Sequence, residues 1–398
     1  MGHPYADDSA WECAVPTTGC IISATTGLAS KERRSMKLGL FSMPLHPPDR
    51  VHAETYEEDL ALLKLADGLG FSEAWIGEHF TLPWENIPAP DIFIARALGE
   101  TEQMVLATGV VLLHYHNPVM VAHRIAMLDH LARGRFYFGI GAGGSPEESG
   151  VFGIGPDSGT PRDRMRESID LILRLWTEDE PFEFQGKYFN STVYEPMPDR
   201  KLWFHMRPYQ KPHPPIAVAG TSPRSETLET AGEMGWWPMS SGLSHRTQLP
   251  GHWEAVEQGA AKTGRTPLRR DWRIAREMYV AESSQQAKED ALRGPLGKFF
   301  VDYWMYLIGN GPRGTATFKI DPEMPDEELT PEYMLENFWI VGDPDECTQK
   351  IRDLYEDVGG FGVLLPQTHD WGRDLSKWNR SMELMAKEVL PGIQDLEP

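Results

Sequence analysis

From residue 36 onward the chain alternates short apolar runs with stretches of helical periodicity, and no other feature limits its possible folds so strongly. A first strand is expected over 37–42. An amphipathic helix follows over 55–69: Thr55 and Glu58 have capping-box spacing, Leu60, Leu63 and Ala66 recur at helical intervals, and Gly68 or Gly70 ends it. Further strands are expected over 71–77, 104–113, 135–141, 215–219, 236–240, 273–281 and 361–365. Helices are expected over 90–101, 118–132 and 162–177, with another beginning near Pro223. Asp343-Pro344-Asp345-Glu346 announces one more, as cap, first-turn proline and box partner, and Gly359-Gly360 stops it. Eight strand–helix units predict an α/β protein, a (β/α)8 TIM barrel with insertions near 178–214 and 295–340; an open doubly wound sheet is the competing arrangement.

A length of 398 residues suits one such domain over 36–398 with insertions. Residues 1–35 read as an upstream extension: they are rich in Gly, Ser and Thr, and their basic cluster follows the short apolar core instead of preceding it as in a signal peptide. The net charge of −21 disfavours nucleic acid and anionic membranes and favours a neutral small-molecule partner. Three cysteines are too few for a disulfide framework, and no apolar run is long enough to span a bilayer, so a cytoplasmic enzyme is expected.

Ligand sites of parallel α/β proteins form beyond the carboxyl ends of the strands, so the strand ends carry the functional reading. The second strand ends in Glu78-His79. His79 is either a structural hydrogen-bonding group or a proton-transfer group, and Glu78 either orients it or stabilises the rim. The third ends in His114-Tyr-His116-Asn117; His-x-His can ligate zinc, but later strand ends offer no completing ligands, so no metal site is assigned. The fourth ends in Gly139-Ile-Gly-Ala-Gly143, a weak dinucleotide fingerprint, since Pro146 and two glutamates follow instead of a continuous helix. Its glycines fit close approach by a flat ligand better. The fifth ends in Gly220-Thr-Ser-Pro-Arg224, where hydroxyls, a helix start at Pro223 and Arg224 together suit a phosphate; an ordinary capped helix is the alternative.

With these residues in place, the chain resembles the bacterial luciferase-like flavin-dependent monooxygenases, and among them the limonene-monooxygenase-like branch. The resemblance rests on Ala66-Asp-Gly-Leu-Gly-Phe71, Trp75-Ile-Gly-Glu-His-Phe80, Thr108-Gly-Val, His116-Asn-Pro118, Leu128-Asp-His130, Arg133-Gly-Arg-Phe136, Gly139-Ile-Gly-Ala-Gly143 and Ala219-Gly-Thr-Ser-Pro223. It implies a barrel that binds reduced FMN at its mouth, supplied by a separate flavin reductase, and that oxygenates a substrate with O2 through a flavin C4a-(hydro)peroxide. His79 would lie near the reactive part of the ring. Thr108, Gly109, His116, Asn117, Gly141, Ala142 and Gly143 would border it, and Gly220, Thr221, Ser222 and Arg224 would take the phosphate. Light-emitting members carry Cys and Arg where this chain has Gly141 and Ala142, which argues against luciferase activity. A related branch uses a deazaflavin for hydride transfer; a non-catalytic flavin-binding protein and a metal-dependent barrel hydrolase are the readings from other classes. Aromatic residues of the insertions and nearby loops (Trp84, Trp203, Phe204, Phe299, Phe300, Tyr303 and Trp304) suggest a lid and an apolar substrate, terpene-like, alicyclic or long-chain. The family suggests a homodimer.

Overall fold

The computed structural model of the chain describes residues 35–43, 45–143, 146–311 and 314–398; apart from Ser35, the extension expected over 1–35 lies outside the described residues. Eight parallel strands close into a barrel. They are β1 (Lys37–Leu38, continued as Leu40–Ser42), β2 (Glu73–Ile76), β3 (Val105–Thr108), β4 (Phe136–Gly141), β5 (Ile216–Gly220), β6 (Trp237–Ser240), β7 (Arg273–Arg276) and β8 (Val363–Pro366). Each pairs with its neighbour in sequence, and β1 closes the ring: Lys37 and Leu38 register with Val363 and Leu364, while Leu40 and Phe41 register with Ala74 and Trp75. The strand is interrupted at Gly39, where a Cβ would lie 2.7 Å from the Glu73 carbonyl oxygen and from a Leu365 methyl. The barrel is therefore the fold, with no free sheet edge, and the open sheet is ruled out.

Side chains alternate across the strands, so one set fills the lumen. Phe41, Trp75, Ala107, Ala217, Met239, Ala275, Val363 and Leu365 form this inner cluster, large aromatics set against alanines of other strands. Below Trp75 the lumen is shut by charge. Arg273 Nε donates to Glu73 Oε1 at 3.0 Å, Trp75 Nε1 donates to the same oxygen at 2.8 Å, and the guanidinium stacks 3.9 Å from the Trp237 ring centre. Only the carboxyl end of the barrel is left to receive a ligand.

Local signals set several helix ends as expected. Asn117 caps Pro118–Ala132, Asp343 caps Pro344–Val358, and Gly70 and Gly359 end their helices in the left-handed region. Four expectations are corrected. The first helix begins at His52, not at residue 55. Thr55 bonds the His52 carbonyl and Asn86, and Glu58 is held by Arg50, so neither is free to form a capping box. The helix after β5 begins at Glu226 with Ser225 as its cap, not at Pro223, because Thr227 Oγ1 ties its first turn to the Ala219 carbonyl. The third strand stops at Thr108; the chain then passes through the cis Gly109–Val110 peptide before Val111–Leu112 pairs with β4. The seventh stops at Arg276, after which Met278–Val280 leaves the barrel to pair in parallel with Ile340–Gly342.

That second pair brackets an excursion of short helices, including Pro295–Phe299, the π-helical turn Phe300–Trp304 and Met305–Gly309. The excursion after β4 contains the hairpin Phe182–Gln185 and Asn190–Val193, and it packs toward the amino ends of the strands: Gln210 Nε2 donates to the Phe136 carbonyl at 2.8 Å. Trp203 is half exposed there, and Phe204 rests on His123, so neither contributes to a lid as expected. Among the described residues no helix is long and apolar enough to cross a membrane.

A buried charge cluster fastens the loop after β1. His46 Nδ1 lies 2.7 Å from Asp370 and Nε2 3.2 Å from Asp59, while Arg50 bridges Asp370 and Glu58. Burial alone would lower the His46 pKa, but Asp370 and Asp59 override it and carry it up to about 9. His46, Glu58 and Asp370 are spaced like metal ligands, yet Arg50 already supplies their cation. Because the folded-state value lies above the ordinary 6.5, this stabilisation is complete below pH 6.5 and is lost as pH rises through about 9. The stability gap between wild type and His46→Gln, measured by urea unfolding, should shrink by up to about 3 kcal/mol between pH 6 and 9.5. A gap that is constant with pH would show that the cluster does not hold the imidazolium.

Candidate active site

The carboxyl ends of β2, β3 and β4 form one side of the barrel mouth. Glu78 is buried and turns away from its neighbour His79. It accepts the Leu112 N–H at 2.6 Å and faces His116 Nε2 at 3.0 Å, so it orients His116. His79 is set by other groups: its Nε2 lies 3.1 Å from Glu85 Oε2, and its Nδ1 lies 3.9 Å from Glu148 Oε1. The imidazole is one-quarter exposed, and Nδ1 has no hydrogen-bond partner. His79 also borders a cleft of about 510 Å³ lined by His52, Tyr56, Phe80, Leu82 and Asn86, a size that suits a small molecule.

The other expected residues fall into two groups. Thr108, Asn117 and the strand-four glycines serve the scaffold. Thr108 Oγ1 donates to the Gly139 carbonyl at 2.8 Å and accepts the Gly139 N–H at 2.9 Å, which stitches β3 to β4. Asn117 is exposed and receives the Val119 and Met120 N–H groups as a helix cap. A Cβ on Gly109 would lie 2.8 Å from Trp75 Cβ, on Gly141 2.4 Å from Val110, and on Gly143 2.3 Å from the His114 ring. Gly143 also has a φ of 64°. Close packing of the protein itself thus requires these glycines. Ala142 is half-buried beside them.

Gly220, Thr221, Ser222 and Arg224 lie at the neighbouring strand end. Gly220 is buried against Leu228, whereas Thr221 and Arg224 are exposed and Ser222 is half exposed. The expected helix N-terminus begins beyond them and carries Glu226 in its first turn. Among the described residues, His114 and His116 belong to no three-residue cluster of metal-ligand spacing. Burial, with Arg164 and His116 nearby, pushes the His114 pKa down to about 4, leaving a neutral ring with both nitrogens unpartnered. Arg164, whose Nε also lacks a partner, is a cation beside the β4 end that sequence spacing did not mark.

Sequence reasoning also missed the groups on the far side of the mouth. At the ends of β7 and β8, His369 Nε2 is bonded to Glu277, and His369 Nδ1, Gln367 Nε2 and Arg276 Nη2 are buried without partners. Phe299 packs on the His369 ring at 5.2 Å, and Tyr303 stacks on Trp84 at 5.4 Å. The second insertion thus lies over the ends of β8, β1 and β2, where Phe299, Tyr303 and Trp304 supply an aromatic cover. No local pattern marks Glu85, Glu277 or His369; only the fold brings them to their partners.

Residues 36–360 match the family model of luciferase-like monooxygenases. The chain belongs to that family. Within it, the chain is 37% identical over 364 residues to 4-hydroxyprotoasukamycin monooxygenase of Streptomyces nodosus subsp. asukaensis, covering 89% of this chain and 92% of that one. It is 32% identical over 365 residues to limonene 1,2-monooxygenase of Rhodococcus erythropolis, covering 90% and 87%. The oxygenating constituent of 3,6-diketocamphane monooxygenase of Pseudomonas putida, a type II Baeyer–Villiger monooxygenase solved with FMN, superposes with a TM-score of 0.85. That match has 31% identity and covers 92% of this chain and all of that one. The resemblance read from the strand-end motifs is borne out, and at the level of the family so are a monooxygenase and FMN.

The scaffold role of Thr108 makes a direct test. Thr108→Val should leave the Gly139 N–H and carbonyl unpaired in the core and cost roughly 2–5 kcal/mol of unfolding free energy, measured by urea denaturation. An effect under about 0.5 kcal/mol would mean that the stitch is dispensable.

Proposed function

We propose that this protein is the oxygenating component of a two-component system, taking reduced FMN from a separate reductase and using O2 to oxygenate an apolar small molecule, terpene-like, alicyclic or long-chain. One observation carries the reading: His79, with a free Nδ1, stands at a mouth whose other buried polar atoms (His369 Nδ1 and Gln367 Nε2) also lack partners, beneath an aromatic cover. Buried polar groups are rarely left unpaired, and a flat ring with a polar edge meets this requirement while fitting over Phe41 and Trp75. FMN therefore fits the residues present.

When bound, reduced FMN supplies the two electrons with which O2 yields one oxygen atom to substrate and one to water. The chain does the rest. Thr221, Ser222 and Arg224, with Arg164, offer hydroxyls and positive charge for the phosphate, and Gly141, Ala142 and Gly143 form the adjoining backbone. Gly220 ends β5 immediately before the hydroxyls and packs on Leu228. Thr108, Gly109, His116 and Asn117 shape and brace the ring's border. His79 holds or delivers a proton at Nδ1, and Phe299, Tyr303, Trp304 and Trp84 exclude water. Ile92, Met120, Met127 and Leu131 expose apolar side chains on two neighbouring helices, which supports a homodimer through that face. Cys347, a buried free thiol, suits a reducing cytoplasm.

Three measurements check this. Stopped-flow mixing of the protein with reduced FMN and O2 should show a protein-dependent oxygen reaction, and reduced FMN should bind more tightly than FAD; a preference for a deazaflavin with no oxygen uptake would instead favour hydride transfer. His79→Ala should keep reduced-FMN affinity within several-fold and lower coupled oxygenation about 10²–10⁴-fold; wild-type coupling would return His79 to a structural role. Thr221→Ala and Ser222→Ala should each weaken FMN about ten- to a hundred-fold while barely affecting riboflavin, which has no phosphate. Equal losses for both flavins would remove the loop from the phosphate site.

A further inference from the structure

Glu85 is buried between His79 and the second insertion. Its Oε1 accepts the Tyr303 hydroxyl at 2.6 Å, while its Oε2 lies 3.1 Å from His79 Nε2, within ion-pair distance but outside hydrogen-bond geometry, and has no other partner. The titratable groups facing it are His79, Tyr303 and Glu148, and Glu148 is itself engaged by the Phe80 N–H at 2.7 Å. Negative charge this close to Nε2 favours the tautomer with its proton there, and a small turn of the ring completes the hydrogen bond, which leaves Nδ1 as the nitrogen available to a ligand. Tyr303 comes from the turn Phe300–Trp304, just after Phe299, which rests on His369 across the end of β1. One segment therefore touches two His–carboxylate pairs on either side of β1, His79–Glu85 after β2 and His369–Glu277 after β8 and β7.

We infer that Glu85 is a positioning residue for His79, and that Tyr303 makes this positioning depend on the seating of the insertion. Closing the mouth and fixing the protonated nitrogen of His79 are then one event. With the segment lifted, Glu85 loses its hydroxyl donor, and His79 loses a fixed partner while water reaches the site. This rests on the reading of His79 as the proton-handling group, but its test is independent of that reading.

The test uses full-length protein with labelled histidine, His79 being assigned by loss of its signal in His79→Ala. In wild type, imidazole nitrogen shifts should report a single Nε2–H tautomer for His79. Glu85→Leu should give a mixture of tautomers. Tyr303→Phe, the milder change, should do so in part and should speed amide exchange across 299–307 at least about tenfold, as expected for loss of a hydrogen bond to a charged group. In Tyr303→Phe, coupled oxygenation should fall about tenfold while reduced-FMN affinity stays within about twofold. An unchanged His79 tautomer in both variants overturns the inference, as does unchanged amide exchange in Tyr303→Phe. If His79→Ala keeps full coupling while Glu85→Leu still shifts the tautomer, the proton role fails and the positioning stands.

Discussion

The pair of Glu73 and Arg273 on the barrel axis decides where everything else can happen. Two opposite charges removed from water stabilise a fold only when each is well paired, and here Trp75 and the Trp237 ring complete the pairing. Together they fill the amino end of the lumen. A ligand has no route from below, so every loop with chemistry to offer lies at the carboxyl ends of the strands. The order of the strands then sets which chemistries adjoin: the glycines of β4 and the hydroxyls of β5 are neighbours, and His79 and His369 reach the same rim through β2, β1 and β8.

Features written locally were legible in the sequence. Asn117-Pro118 and Asp343-Pro344 cap their helices because a side-chain oxygen and a fixed proline φ act within a few residues. The barrel itself was legible because eight strand–helix repeats leave few closed arrangements. Thr55 and Pro223 were misread for the complementary reason: each has the right local spacing, but Asn86 competes for Thr55, and the Ala219 carbonyl fixes the later helix through Thr227. The overlong third and seventh strands have the same cause. Apolar β-formers continue past Thr108 and Arg276, and only the positions of β4 and Ile340–Gly342 draw the chain away.

The candidate site divides along the same line. His79 could be found because it ends a strand, and the family motifs strengthened the assignment. Its partner Glu85 is equally close in sequence but carries no pattern, and Tyr303 is 218 residues further along the chain from Glu85. The glycine cluster stands out in the sequence, and in the structure Thr108, Val110 and His114 already demand the space a Cβ would take. Steric need within the protein and openness to a ligand leave the same signature in a sequence, and only coordinates separate them.

The parallel pair of Met278–Val280 with Ile340–Gly342 has an implication for how such a protein changes its substrate. Both ends of the intervening segment are anchored one strand spacing apart, about 5 Å, outside the barrel wall. The segment is thus a cassette on a fixed mount. It can be lengthened, shortened or exchanged without altering the registration of any barrel strand, so selection can reshape the roof over the mouth while the barrel wall beneath it stays constant.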